Sequence, residues 1–149
     1  MVKSEVVRQE LLEICRENRG VLRPEDVVEQ ARSPKSVLHG LFQWDDSEAA
    51  REYRLWQARE LIRVSVVMLP EAGGEPTRAF VSLMDDRTKE AGGYRCLTTV
   101  LGNARQRAAL LEQALKELQY WQRKYQQLSE LVPVFEARER VMKRKRKAA

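Results

Sequence analysis

The sequence predicts a predominantly helical α+β fold, and three observations carry that prediction. Apolar residues recur at spacings of three and four toward both ends of the chain, the interior stretch 64–97 is richer in β-branched residues and turn glycines, and cap-then-proline signals punctuate the first half. The expected order is an N-terminal three-helix cluster, a central helix, a small antiparallel β-hairpin or three-stranded sheet, and a long C-terminal helix. The 149 residues are one domain's worth of material, enough for a core that needs neither disulfide nor structural metal. That single domain is expected over 1–142, with a helical part at 1–63, a β part at 64–97 and the long helix at 104–132, followed by a disordered basic tail at 143–149.

Ser4 is placed to cap the first helix, with Glu5 in its first turn and Val7, Leu11 and Ile14 as the buried stripe, widened by Leu12 and Cys15. Asn18-Arg19-Gly20 reads as its stop. Pro24 suits the first position of a second helix, where its missing N–H is no loss, and Glu25 and Asp26 complement the positive end of the dipole; Val27, Val28 and Ala31 face inward. Ser33-Pro34 repeats the signal and predicts a short third helix over 34–41. The acidic run 45–48 opens a fourth helix reaching residue 62 or 63. Its Ala49, Tyr53 and Trp56 lie opposite Leu55, Ala58 and Ile62, so it is expected to be packed from two sides as the central element.

Residues 64–69 and 77–84 pattern as two strands around a loop of six residues at 71–76, and 94–97 as a short third strand. Thr98 or Thr99 is expected to cap a brief turn ending at Gly102. Asn103 then caps a helix over 104–132, which at 1.5 Å per residue extends about 43 Å. Leu111, Leu115, Leu118, Trp121, Tyr125, Leu128 and Val132 approach a heptad seam along it, with Glu112 and Lys116 as an outer i,i+4 pair. A seam of this length, incompletely covered within one chain, predicts a homodimer. Pro133 is expected to kink or end the helix and Phe135 to tuck back.

Composition narrows the function classes. No apolar run approaches the ~18 residues of a membrane span, and the N-terminus lacks the apolar stretch of a signal peptide, so the chain is expected in a reducing cytoplasm with no membrane partner. Cys15 and Cys96 lack CxxC spacing and read as small core residues. One histidine, His39, and two scattered cysteines are too few for a zinc shell, and neither phosphate-loop nor dinucleotide glycine motifs occur; no cofactor or metal is expected. Asp45-Asp46 and Asp85-Asp86, with Lys89 beyond the second pair, are the acidic pairs a metal-dependent nuclease would use; capping and a strand end explain them, and the chain is read as a non-enzyme.

The net charge is +5, with 27 basic against 22 acidic residues. Setting aside Lys143, Arg144, Lys145, Arg146 and Lys147 leaves 22 basic residues, so the basicity is concentrated at the end of a neutral chain. Together with Arg138, Arg140 and Lys35, this run is the candidate phosphate-contacting set, attracted to nucleic acid by counterion release and without sequence preference. No aromatic interrupts 143–147, so stacking on bases is not indicated there. The predicted third helix would offer Lys35, Ser36 and His39 as a thin reader surface of a helix-turn-helix, with the hairpin as a wing. Arg51, Arg54, Arg59 and Arg63 form a further arginine-bearing surface, interleaved with Glu48, Glu52 and Glu60. Leu111, Leu115, Leu118, Trp121, Tyr125 and Leu128 are the candidate partner or dimer seam, and Trp121, Tyr120 and Tyr125 could also stack bases.

The segments 22–32 (LRPEDVVEQAR), 38–46 (LHGLFQWDD), 49–62 and 115–136 (LKELQYWQRKYQQLSELVPVFE) resemble a family of small, uncharacterised bacteriophage and prophage proteins. The resemblance implies a viral or prophage origin and a location in the host cell, and transfers no activity to particular residues. The leading expectation is a non-enzymatic phage-type DNA-binding accessory protein. The alternative is a helical interaction module: an adapter, a virion component or an inhibitor of a host protein.

Overall fold

The computed structural model describes residues 2–44, 47–70, 73–87 and 92–148. It is predominantly helical α+β, as the patterning predicts, and divides into two compact units, 1–103 and 104–149. The boundary at 103 replaces the single domain expected over 1–142, because the C-terminal helices contact each other and form a unit of their own.

In the first unit, α1 (Val2–Glu17) begins before Ser4, which lies inside it rather than capping it. It stops where expected: the Asn18 side chain donates to the Ile14 carbonyl (2.9 Å), and Arg19 and Gly20 take φ of +56° and +80°, a reversal that glycine tolerates at no steric cost. α2 (Pro24–Ala31) starts at its proline and buries Val27, Val28 and Ala31.

No α-helix follows at 34–41. Successive turns end in a single 3-10 turn at His39–Leu41, because local serine bonds compete with helical ones: Ser33 Oγ accepts from the Lys35 N–H and Ser36 Oγ from the Leu38 N–H. The Glu10 carboxylate secures the segment from α1, accepting from the Ser36 hydroxyl and the Val37 N–H.

Ser47 caps α3 (Glu48–Val64) by accepting from the Ala50 N–H; the expected acidic pair at 45–46 lies outside the described residues. Only the Leu55–Ala58–Ile62 face is buried. Tyr53 and Trp56 remain 44% and 52% exposed, stacked on each other at 5.6 Å, so α3 is not packed from two sides. The core joins Leu11 and Ile14 of α1, Val27 of α2, Leu38, Phe42 and Ile62. Cys15 is buried in that core and Cys96 packs at its edge, both as free thiols.

The β part is two two-stranded sheets. β1 (Val66–Met68) pairs antiparallel with β2 (Pro76–Arg78), Val67 opposite Thr77; β3 (Phe80–Val81) pairs antiparallel with β4 (Arg95–Cys96), Phe80 opposite Cys96. Ala79, 3% exposed, is the changeover: its N–H donates to the Ser65 carbonyl and its carbonyl accepts from the Leu97 N–H. The predicted strand over 77–84 is therefore divided between partners and ends in a helical turn, α4 (Met84–Arg87), whose Asp85 and Asp86 suit a helix start better than a strand end. Thr98 and Thr99 cap nothing; they lie inside α5 (Leu97–Gly102), which begins from Cys96. Gly93 is required where the chain passes α2's entry, since a Cβ there would come within 2.6 Å of Val21 Cγ1.

The second unit is an antiparallel helical hairpin, α6 (Ala104–Lys124) and α7 (Val132–Ala148), joined through a 3-10 turn at Ser129–Leu131. The single helix expected over 104–132 stops at Lys124, where turn bonds from the Leu128 N–H to the Tyr125 carbonyl and from the Leu131 N–H to the Leu128 carbonyl replace the helical ones before the chain re-enters a helix at Val132. Pro133 thus falls in the first turn of a new helix, where a proline costs least. The expected disordered tail is helical through residue 148: its cations neutralise the negative end of the α7 dipole, and Lys145 reaches Glu112 on α6 at 3.1 Å.

Asp86 is 2% exposed and accepts two hydrogen bonds from Arg95, both 2.7 Å. Asp86→Ala should therefore cost about 2 kcal/mol in urea unfolding, below the ~3–5 kcal/mol of a fully buried pair because Arg95 keeps some water contact.

Candidate functional site

The cationic residues of α7 divide by angle. Arg138 faces α6, 8% exposed, where its Nε donates to the Leu115 carbonyl at 3.0 Å and its Nη1 pairs with Glu139 at 2.6 Å. Phe135, one turn earlier, is buried on the same side. At about 100° per residue, Arg140, Lys143, Arg144 and Lys147 fall together on the opposite, solvent side, spaced i, i+3, i+4, i+7. All four are exposed, none has an acidic partner among the described residues, and residues 140–149 include no Asp or Glu. Arg146 lies at the margin of this face.

Of the residues expected to contact phosphate, the structure therefore brings Arg140, Lys143, Arg144 and Lys147 onto one surface and withdraws Arg138 from it. Lys145 is partly committed to Glu112, which also receives Lys116; Lys145 first and Lys116 second hold the Glu112 carboxyl below its ordinary range. Lys35 belongs to the other unit, exposed in the turn after α2.

The arginine-bearing surface of α3 is smaller than expected. Arg54 is buried, donating to the Gln43 carbonyl and lying 5.5 Å over the Trp44 ring, and Arg63 pairs with Glu60, leaving Arg51 and Arg59 outward. The helix-turn-helix reading loses its reader: 34–41 is not helical, Ser36 is bound to Glu10, and His39 stacks on Trp44 with its Nδ1 at 2.8 Å from the Ala31 carbonyl.

The α6 seam is divided as well. Leu115 is buried and Tyr125 half-buried, whereas Leu111, Leu118, Trp121 and Leu128 are 38–55% exposed. Trp121 meets the Tyr125 ring edge-on at 5.3 Å.

Other constellations are structural in character. Asp86 is tied to Arg95, and among the described residues no three or more His, Cys, Asp or Glu side chains converge to hold a metal; Lys89 lies outside those residues. Cys15 and Cys96 line a cavity of about 250 Å³ with Arg8 and Arg16. Burial pushes the Cys15 thiol up; burial also acts to raise Cys96, but hydrogen bonds from Thr98 and Thr99 outweigh it and hold that thiol below its ordinary value. Among the described residues no helix is long and apolar enough to cross a membrane. No family model, curated protein or solved structure matches the chain.

The phase of the cationic face rests on spacing, which a sequence displays; Arg138's withdrawal from it rests on a contact 23 residues away, which a sequence does not. Because the Glu112 carboxyl is depressed in the fold, its contribution is present above its unperturbed range and is lost as pH falls through the lowered value. Lowering pH from 6 to 3 should reduce the helical Cα chemical shifts of 143–148, and Glu112→Gln should flatten that dependence.

Proposed function

We propose that this protein is a non-enzymatic, phage-type nucleic-acid-binding accessory protein of the host cytoplasm, which contacts duplex phosphates through the solvent face of α7. One observation carries the reading: Arg140, Lys143, Arg144 and Lys147 share one exposed helical face, directly opposite the side that holds α7 to α6. A rigid helix presents these charges without the entropy cost of ordering a flexible tail at the moment of binding. Four cations displace condensed counterions from a polyphosphate, a contribution that is the same for any base sequence, so the binding is general for sequence.

A second reading, an adapter engaging a host or virion protein, draws on the exposed Tyr53–Trp56 stack of α3, an aromatic pair of the kind enriched in protein interfaces.

Fluorescence anisotropy with a random-sequence duplex should show affinity falling about a hundredfold between 50 and 200 mM salt, as four phosphate contacts require. Replacing Arg140, Lys143, Arg144 and Lys147 by glutamine should remove most of that salt dependence along with the binding. Unchanged binding by this variant would refute the α7 interface, and no binding by the wild type at ~50 mM salt would leave the adapter reading in its place.

A further inference from the structure

Leu111, Ala114, Leu118 and Trp121 of α6, with Tyr125 directly after its last residue, follow one another at spacings of 3, 4, 3 and 4, an a/d pattern. The stripe lies about 90° around α6 from Leu115, which faces α7. On α7, Val134 and Val141 (50% and 38% exposed) are displaced from Arg138 in the same angular sense. In antiparallel helices an equal sense of displacement puts both stripes on one side of the pair. The hairpin therefore has a continuous apolar face, the inner surface of half a four-helix bundle.

We infer that a second copy of this chain covers this face, with the two α6 helices antiparallel and in register about a point between Gln119 and Tyr120. Three features select that occupant and that direction. The register sets Ala114 against Tyr125 of the second copy and Leu118 against Trp121, so the smallest residue of the stripe meets a large ring and no two rings collide. The outer flank carries Glu117 and Lys124, which the antiparallel pairing brings into two symmetric opposite-charge contacts. Lys124 already lies at that edge, its ammonium 5.3 Å over the Tyr125 ring. A parallel pairing sets Trp121 on Trp121 and leaves Glu117 facing Gln122, without charge complementarity. The exposed apolar side chains amount to roughly 500 Å² per copy, so covering them in both copies removes about 1,000 Å², the lower bound of a specific interface.

The inference does not depend on nucleic-acid binding, because its readout is mass. Sedimentation equilibrium of the full chain at ~10 μM should give twice the 17.3 kDa chain mass. Leu118→Glu should return it to 17.3 kDa with the helical circular dichroism of the wild type retained. The charge flank separates the two directions without touching the core: Glu117→Lys and Lys124→Glu should each weaken the dimer about tenfold, and the double exchange should restore it. A 17.3 kDa species at ~100 μM would overturn the proposal, as would a dimer indifferent to Leu118→Glu. Failure of the double exchange to restore association would overturn the antiparallel pairing.

Discussion

The hydrogen bond from Arg138 to the Leu115 carbonyl fixes the rotation of α7 on α6, and the surface of the second unit follows from that rotation. A buried guanidinium without partners would cost several kcal/mol, so this helix face is held inward by more than the packing of Phe135. Once the angle is set, four of the remaining cations point to solvent, and Val134 and Val141 of α7 join the apolar stripe of α6 on one flank. One buried charge thus separates two chemically different surfaces on a hairpin of modest size.

Polar chemistry in the first unit is similarly occupied by architecture. Glu10 holds the turns after α2, Trp44 is enclosed by His39, Phe42 and Arg54 while donating to the His39 carbonyl, and Asp86 is matched to Arg95. These residues are among those a catalytic or base-reading hypothesis would have called on. Their partners leave the outward chemistry of the described chain dominated by cations on α7 and by apolar or aromatic residues on α6 and α3.

Legibility in the sequence followed the range of the interactions involved. The stop at 18–20, the proline start of α2 and the Ser47 cap of α3 depend on neighbours within a turn, and each stands where local chemistry puts it. Ser33-Pro34 carries an equally good start signal, yet the segment folds as turns because serine bonds within it and a carboxylate from α1 compete with helix. Pro133 is ambiguous by nature: a proline is compatible with the end of one helix or the first turn of another, and here it stands in the first turn of α7, well past the end of α6. The basic run is conspicuous in composition, but the contact that ties it to α6, Lys145 to Glu112, reaches a residue more than thirty positions earlier. The seam was legible as a periodicity, while its division into Leu115 inward and Leu111, Leu118 and Trp121 outward required the position of α7.

The changeover at Ala79 bears on how copies of this chain can meet. By switching partners after β2, the extended segment 76–81 is cut into pieces of three and two residues, and neither sheet grows beyond two strands. An edge that short offers an incoming strand only a bond or two before it runs out, too few to repay the ordering of another chain. Intermolecular β-pairing is thereby denied a template in a region whose Val66 and Met68 are exposed, which leaves the helical surfaces as the places where another chain could dock.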